Sequence, residues 1–110
     1  MVIGGSAVAS QTNRTRTVTA SGAVLIGDDT IFVDLSAQDV TLTLPQAARS
    51  LRKVFTFKIV GTGYGHFLYV VPSTGDFIDY FFTQRRLWLL NETWQCAARK
   101  EGAWETIHSS

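Results

Sequence analysis

Apolar and polar residues alternate along most of this chain with the period of a β-strand. The stretch VTLTLPQAA, residues 40–48, sets Val40, Leu42 and Leu44 on one side and Thr41 and Thr43 on the other, because successive side chains of a strand leave opposite faces of a sheet. One face is dry and the other polar, and a ladder of threonines suits water or a second copy of the chain better than a substrate pocket. VFTFKIV, residues 54–60, repeats the pattern with Phe55, Phe57 and Ile59 against Thr56 and Lys58, and predicts the principal core strand. Ile31, Val33 and Leu35 alternate in the same way with Phe32 and Asp34. Pro45 stops the first of these strands, since it has no N–H for a ladder and presets the φ of a helical first turn. The segment QAARSLRK that follows predicts one or two turns of helix with Arg49, Arg52 and Lys53 toward solvent.

The links between these runs predict the pairing. GDD at residues 27–29 is expected to turn the chain from a strand at 23–26 into one at 30–35, and the glycine-rich GTGYGH at 61–66 to close a hairpin between 54–60 and 67–71. A short strand at 77–80 and a terminal meander of 85–90, 94–99 and 104–107 complete the pattern. Many short strands and almost no helix predict an all-β domain, an antiparallel β-sandwich or jelly-roll-like fold. The absence of a fixed-period repeat argues against a solenoid or propeller. Residues 1–13 are rich in Gly, Ser, Ala, Thr and Gln, with no acidic or aromatic residue, so an extended N-terminal arm over residues 1–20 is expected ahead of a β-sandwich domain over 21–110. Within the arm, RTRTVTA sets Arg14, Arg16 and Val18 opposite Thr15, Thr17 and Thr19. Such a strand gains little from its own core and is expected to pair at a sheet edge or with a neighbouring subunit.

Composition sharpens the expectation of a partner. A chain of 110 residues matches one domain; 45% of it is hydrophobic and only 17% charged, against about a quarter in an average protein. Surface that charge does not cover is commonly covered by association. The formal net charge of +1 lacks the basic excess of a nucleic-acid binder. No segment reaches the roughly 20 apolar residues of a membrane helix, and the N-terminus lacks the basic start of a signal peptide, so synthesis and assembly in a cytoplasm are expected. The single cysteine, Cys96, excludes an internal disulfide and a multi-cysteine zinc site, and its register beside Trp94 predicts a small buried hydrophobe.

Catalytic chemistry is not expected. His66 and His108 stand at no ligand spacing, and Asp28, Asp29, Asp34, Asp39, Asp76 and Asp79 are scattered over turns and strand ends, where Asp commonly bonds nearby backbone. GTGYG is followed by a strand, whereas a phosphate-cradling loop opens a helix. No catalytic, metal or cofactor residues are assigned, and no cofactor. The run Tyr80, Phe81, Phe82 cannot all face one core. It suits a loop covering the open end of a sandwich, an anchor buried at a subunit contact, or a sugar-stacking platform. Arg85 and Arg86 beside it are candidates for pairing with acids across that contact.

The order DDTIFVDLS (28–36), VTLTLPQAA (40–48), VFTFKIV (54–60), Val71-Pro72, GDFID (75–79) and EGAWETI (101–107) resembles a small β domain of tailed-bacteriophage virion proteins over most of the chain. That family follows a D-T-(apolar)-x-V-D strand with V-T-(apolar)-x-L-P, a K-(apolar) strand, then V-x-P, G-D-x-I-D-G and a closing D-G-x-x-W. Departures include Tyr80 in place of the glycine after Ile78-Asp79 and Glu101-Gly102 in place of D-G. The resemblance implies a homotrimeric β-sandwich found in tail fibres, tail spikes and capsid decoration proteins. With only a short arm ahead of the module, a capsid decoration or cement protein is expected, bound to the major capsid protein or another virion protein on the outer capsid surface; the alternative is a receptor-binding tail-fibre or tail-spike module. The expected subunit or partner contacts are Arg14, Arg16, Val18, Thr41, Thr43, Tyr80, Phe81, Phe82, Arg85 and Arg86, with no nucleic-acid or membrane partner.

Overall fold

Strand alternation decides which side chains enter the core, and the principal core strands among ten obey it in the computed structural model, which describes residues 14–110. In chain order they are β1 (Thr15–Val18), β2 (Gly22–Ala23), β3 (Thr30–Asp34), β4 (Val40–Thr43), β5 (Val54–Gly61), β6 (Leu68–Val71), β7 (Phe77–Ile78), β8 (Arg85–Leu87), β9 (Thr93–Lys100) and β10 (Ala103–Ser109). They form a six-stranded sheet in the order β1-β3-β5-β9-β10-β7 and a four-stranded sheet in the order β2-β4-β6-β8. The domain is all-β with two packed sheets, as expected. The segment after Pro45 contributes one 3-10 turn, Ala47–Arg49.

The pairing differs from the expected antiparallel arrangement. Odd- and even-numbered strands from β1 to β8 fall in opposite sheets, so the chain crosses between sheets after each strand and, as far as β6 and again at β8, returns beside the strand two places earlier; β7 goes instead to the far edge of the large sheet, beside β10. The pairs β1–β3, β3–β5, β2–β4, β4–β6 and β7–β10 are parallel. Only β5–β9, β9–β10 and β6–β8 are antiparallel. The expected turn at GDD and the expected hairpin at GTGYGH are therefore arches from one sheet to the other. β9 and β10 do form the hairpin expected of the meander, turning at Gly102 with φ +77°, a conformation that costs glycine nothing.

Facing side chains from the two sheets fill the interior. Ile31, Val33, Phe55, Phe57, Ile59, Trp94, Cys96 and Trp104 of the large sheet meet Val40, Leu42, Leu68, Val70 and Leu87 of the small one, all buried. Phe55 packs on Trp104 with ring centroids 5.6 Å apart, and Phe57 on Trp94 at 5.7 Å; each such side chain contributes about 1.5–3 kcal/mol by leaving water. The arch at 61–66 folds tightly onto this core. A side chain at Gly63 would meet the Leu35 and Ser36 carbonyl oxygens at 2.8 Å, and His66 Nδ1 lies 2.7 Å from the same Leu35 oxygen.

Residues 14–20, expected to belong to the arm, enter the domain. β1 is an edge strand of the large sheet, paired with β3 along its length. The rest of the expected arm, residues 1–13, lies outside the described residues.

Candidate functional site

The aromatic run emerges at the end of β7 in a tight knuckle. Ile78 and Phe82 exchange both backbone hydrogen bonds, N–H to oxygen at 2.8 and 2.9 Å, so three residues turn the chain between them. Closing so short a turn drives Asp79 to φ +48° and Tyr80 to φ +80°, a left-handed conformation that costs a residue with a Cβ about 1–2 kcal/mol. The Asp79 carboxylate holds it there, accepting from Thr106 N–H at 2.8 Å and from Thr106 Oγ1 at 2.7 Å. Thr106 Oγ1 in turn accepts from the Trp94 indole at 2.8 Å, tying the knuckle to the core. The outcome is a rigid apolar projection: Tyr80, Phe81 and Phe82 are 77%, 69% and 50% exposed, with Phe81 and Phe82 in contact at a centroid distance of 4.4 Å.

Arg85 and Arg86 part company, because β8 points them to opposite faces. Arg85 turns inward with Leu87, its guanidinium 5.7 Å from the Trp94 ring and hydrogen-bonded to Ser109 Oγ at 2.5 Å. A small recess of about 180 Å³ separates it from the knuckle, lined by Ile78, Asp79, Phe82, Gln84 and Arg85. Arg86 points outward from the small sheet and lies against Phe67 and Trp88. Within the chain, aromatic rings lie against both guanidinium groups.

The other expected contacts divide between core, edge and surface. Val18 is buried. Arg16 grips Asp28 through Nε and Nη2 at 3.0 and 2.9 Å, and Nη2 also donates to the Ala23 carbonyl. Its charge serves to fasten β1 to the 25–29 arch, whose Asp28 carboxylate also accepts from Leu25 N–H at 2.8 Å. Arg14 is exposed, and its backbone N–H donates to Asp29 Oδ2 at 2.8 Å. Thr41 and Thr43 face outward from the small sheet, with Thr41 N–H donating to Ser21 Oγ at 2.8 Å. The threonine face and the knuckle are thus separate surfaces, held by different sheets.

A polar recess of about 460 Å³ lies on the large sheet, lined by Asp29, Thr30, Arg52, Lys53, Val54, Thr56 and Gln95. Its polar groups largely satisfy one another. Lys53 Nζ bonds Asp29 Oδ1 at 2.7 Å, and Gln95 Nε2 donates to Thr56 Oγ1 at 3.0 Å. The Lys53 hydrogen bond, reinforced by the Arg14 amide, lowers the Asp29 pKa; the Ser36 amide does the same for Asp34. Burial pushes the Cys96 thiol far above its ordinary value, with the Asp79 charge adding to the effect. Among the described residues no cluster of His, Cys, Asp or Glu is placed to hold a metal ion, and no helix is long and apolar enough to cross a membrane.

Sequence reasoning associated Trp88, with Tyr64 and Tyr80, with the alternative receptor-binding reading, but missed that Leu89 and Leu90 continue it as an exposed apolar ledge. Read as strand, these residues would have been half inward, but β8 ends at Leu87. Glu92 then draws the chain into a turn, its Oε1 accepting from Trp88 and Leu89 N–H at 2.8 and 3.0 Å. The signal was the carboxylate and Asn91 just ahead of β9; Asn91 adopts φ +67°. Compared with known proteins, the sequence matches no protein-family model and no curated protein.

Proposed function

We propose that the chain is a structural module of tailed-bacteriophage virions: a sandwich-like domain that associates as a homotrimer and decorates the outer capsid surface, bound to the major capsid protein or another virion protein. The observation that carries this is the knuckle. Three consecutive aromatics held rigid and largely exposed by strained backbone make a surface suited to burial against a partner, since large aromatics dominate interface energetics and a fixed projection loses little entropy on docking. The motif order described above supports the same assignment. So does the conformation of Tyr80, whose φ of +80° is what the glycine of the G-D-x-I-D-G pattern would satisfy without strain. Association and shell binding require no catalytic step.

Sedimentation of the purified protein, alone and with empty capsid shells, tests this. A trimer that co-sediments with shells is expected, and the triple variant Tyr80→Ser, Phe81→Ser, Phe82→Ser should lose one or both behaviours while keeping its β-sheet circular dichroism. A monomer that ignores shells overturns the proposal. The second reading, a tail-fibre or tail-spike module in host-receptor binding, is favoured by the full exposure of Tyr64 at the tip of the 61–66 arch; immunogold label on tails rather than heads would establish it.

A further inference from the structure

The outer face of the small sheet carries a second construction that the knuckle does not use. β6 and β8 run antiparallel with Tyr69 opposite Arg86 and Leu68 opposite Leu87. The leucines face the core, and Phe67, Tyr69, Arg86 and Trp88 come together on the outside. Phe67 sits 5.9 Å from Trp88 and 6.1 Å from Tyr69, centroid to centroid. The Arg86 guanidinium lies 5.0 Å from the Phe67 ring and 5.2 Å from that of Trp88.

Stacking on rings engages the faces of a guanidinium and leaves its in-plane N–H groups for other partners. Among the described residues none of those N–H groups has a hydrogen-bond or ion-pair partner. Neither flanking carboxylate is paired with it; each accepts from backbone. Asp39 Oδ1 accepts from Phe67 N–H at 2.9 Å, and Glu92 Oε1 accepts from Trp88 N–H at 2.8 Å. These two acids fix the residues that bracket Arg86. The result is an arginine fork laid on an aromatic shelf before any ligand arrives, with Thr41 opposite Tyr69 across β4 and β6 adding a hydroxyl to the same face.

We propose that this shelf binds an acidic saccharide, its carboxylate paired with the Arg86 fork and a sugar face stacked on Trp88. A planar fork matches a carboxylate bidentately, a ring 42% exposed offers a flat apolar surface to pyranose C–H groups, and hydroxyls at Thr41 and Tyr69 meet a ligand rich in hydroxyls. A nucleic-acid strand fits the shelf less well, because a backbone of phosphates calls for several cations in a row and the shelf holds one. A wholly apolar partner would strip water from the fork and leave it unpaired. The proposal stands or falls independently of capsid binding.

Trp94 and Trp104 are fully buried, so a change in tryptophan emission on adding sugar reports Trp88. Tri-galacturonate and sialyllactose are the two probes, one uronic and one sialic, with methyl-esterified tri-galacturonate and lactose as their neutral counterparts. Saturable quenching is expected with at least one acidic probe, weakened about tenfold or more in its neutral counterpart. By calorimetry, Arg86→Lys, which keeps the charge and loses the fork, should weaken binding about fivefold or more, and Trp88→Ala should do the same. Arg86 is exposed, so these variants should melt near the parent protein. The proposal is overturned if neither acid binds at about 10 mM, a concentration well above the millimolar Kd of a weak sugar site. It is equally overturned if binding survives Arg86→Gln unchanged, or if Arg86→Gln alters the sedimentation of the sugar-free protein, which would make the shelf a subunit contact.

Discussion

At the scale of single residues, Tyr80 sets local stability against surface chemistry. Its left-handed backbone costs more than glycine would, and nothing in the core needs its exposed ring. Tyr80→Gly is expected to stabilise the domain by several tenths to about 1 kcal/mol, the relief of strain being partly offset by glycine's greater freedom when unfolded. A higher urea midpoint at unchanged slope is the signature, and on the proposed function the same variant should associate less well. Asp29 gives a prediction in pH. Its carboxyl is held below the ordinary value of 3.8, first by the hydrogen bond from Lys53. Because the folded pKa is the lower one, the stability it adds is present above about pH 4 and is lost as pH falls through that folded value. The stability difference between the parent protein and Lys53→Met should therefore be level from about pH 5 to 7 and close on further acidification, as read from urea melts across that range. Asp29 is half-buried, its side chain still 33% exposed, and screening by water keeps the effect small.

At the scale of elements, β1 shows how an edge strand with little apolar surface is retained. Val18 enters the core, while Arg16 clasps the nearly buried Asp28. Arg16→Ala leaves that carboxylate without its cation and should cost about 1–3 kcal/mol. Hydrogen exchange should locate the loss, with β1 amides exchanging faster while those of β5 hold. This clasp was hidden in the sequence, where RTRTVTA reads as a strand with two polar faces and Asp28 as one of several turn acids. By contrast, the inward sets of β4, β5 and β9 were fully legible, because a period of two with large apolar residues admits one orientation. Pairing was not legible. Alternation says which face a residue takes and nothing about which strand lies alongside, and a glycine-rich link such as 61–66 can close a hairpin or arch to a second sheet. The knuckle was half visible: three consecutive aromatics announced an exposed ring, but their fixing depends on Thr106, 27 positions from Asp79. The aromatic shelf needed the register of β6 against β8, which no local pattern contains.

At the scale of the whole molecule, crossing between sheets after nearly every strand makes almost all pairings non-local. Each parallel neighbour from β1 to β6 must wait for an arch, a strand and a second arch to be placed, so loop-closure entropy is lost before many contacts form. Refolding from urea, followed by stopped-flow tryptophan fluorescence, should run in milliseconds to seconds rather than microseconds. A dominant microsecond phase would contradict the winding. The order of the large sheet has a further consequence for how the protein is made. β9 and β10 follow all the other described strands along the chain, yet they occupy its interior, with β5 on one side and β7 on the other. While the ribosome still holds residues 93–109 in its exit tunnel, β5 lacks one neighbour, β7 lacks its only ladder, and the inner face lacks Trp94 and Trp104. Until then the large sheet is only β1-β3-β5, open at its β5 edge, and β7 joins it when the β9–β10 hairpin takes its place between them.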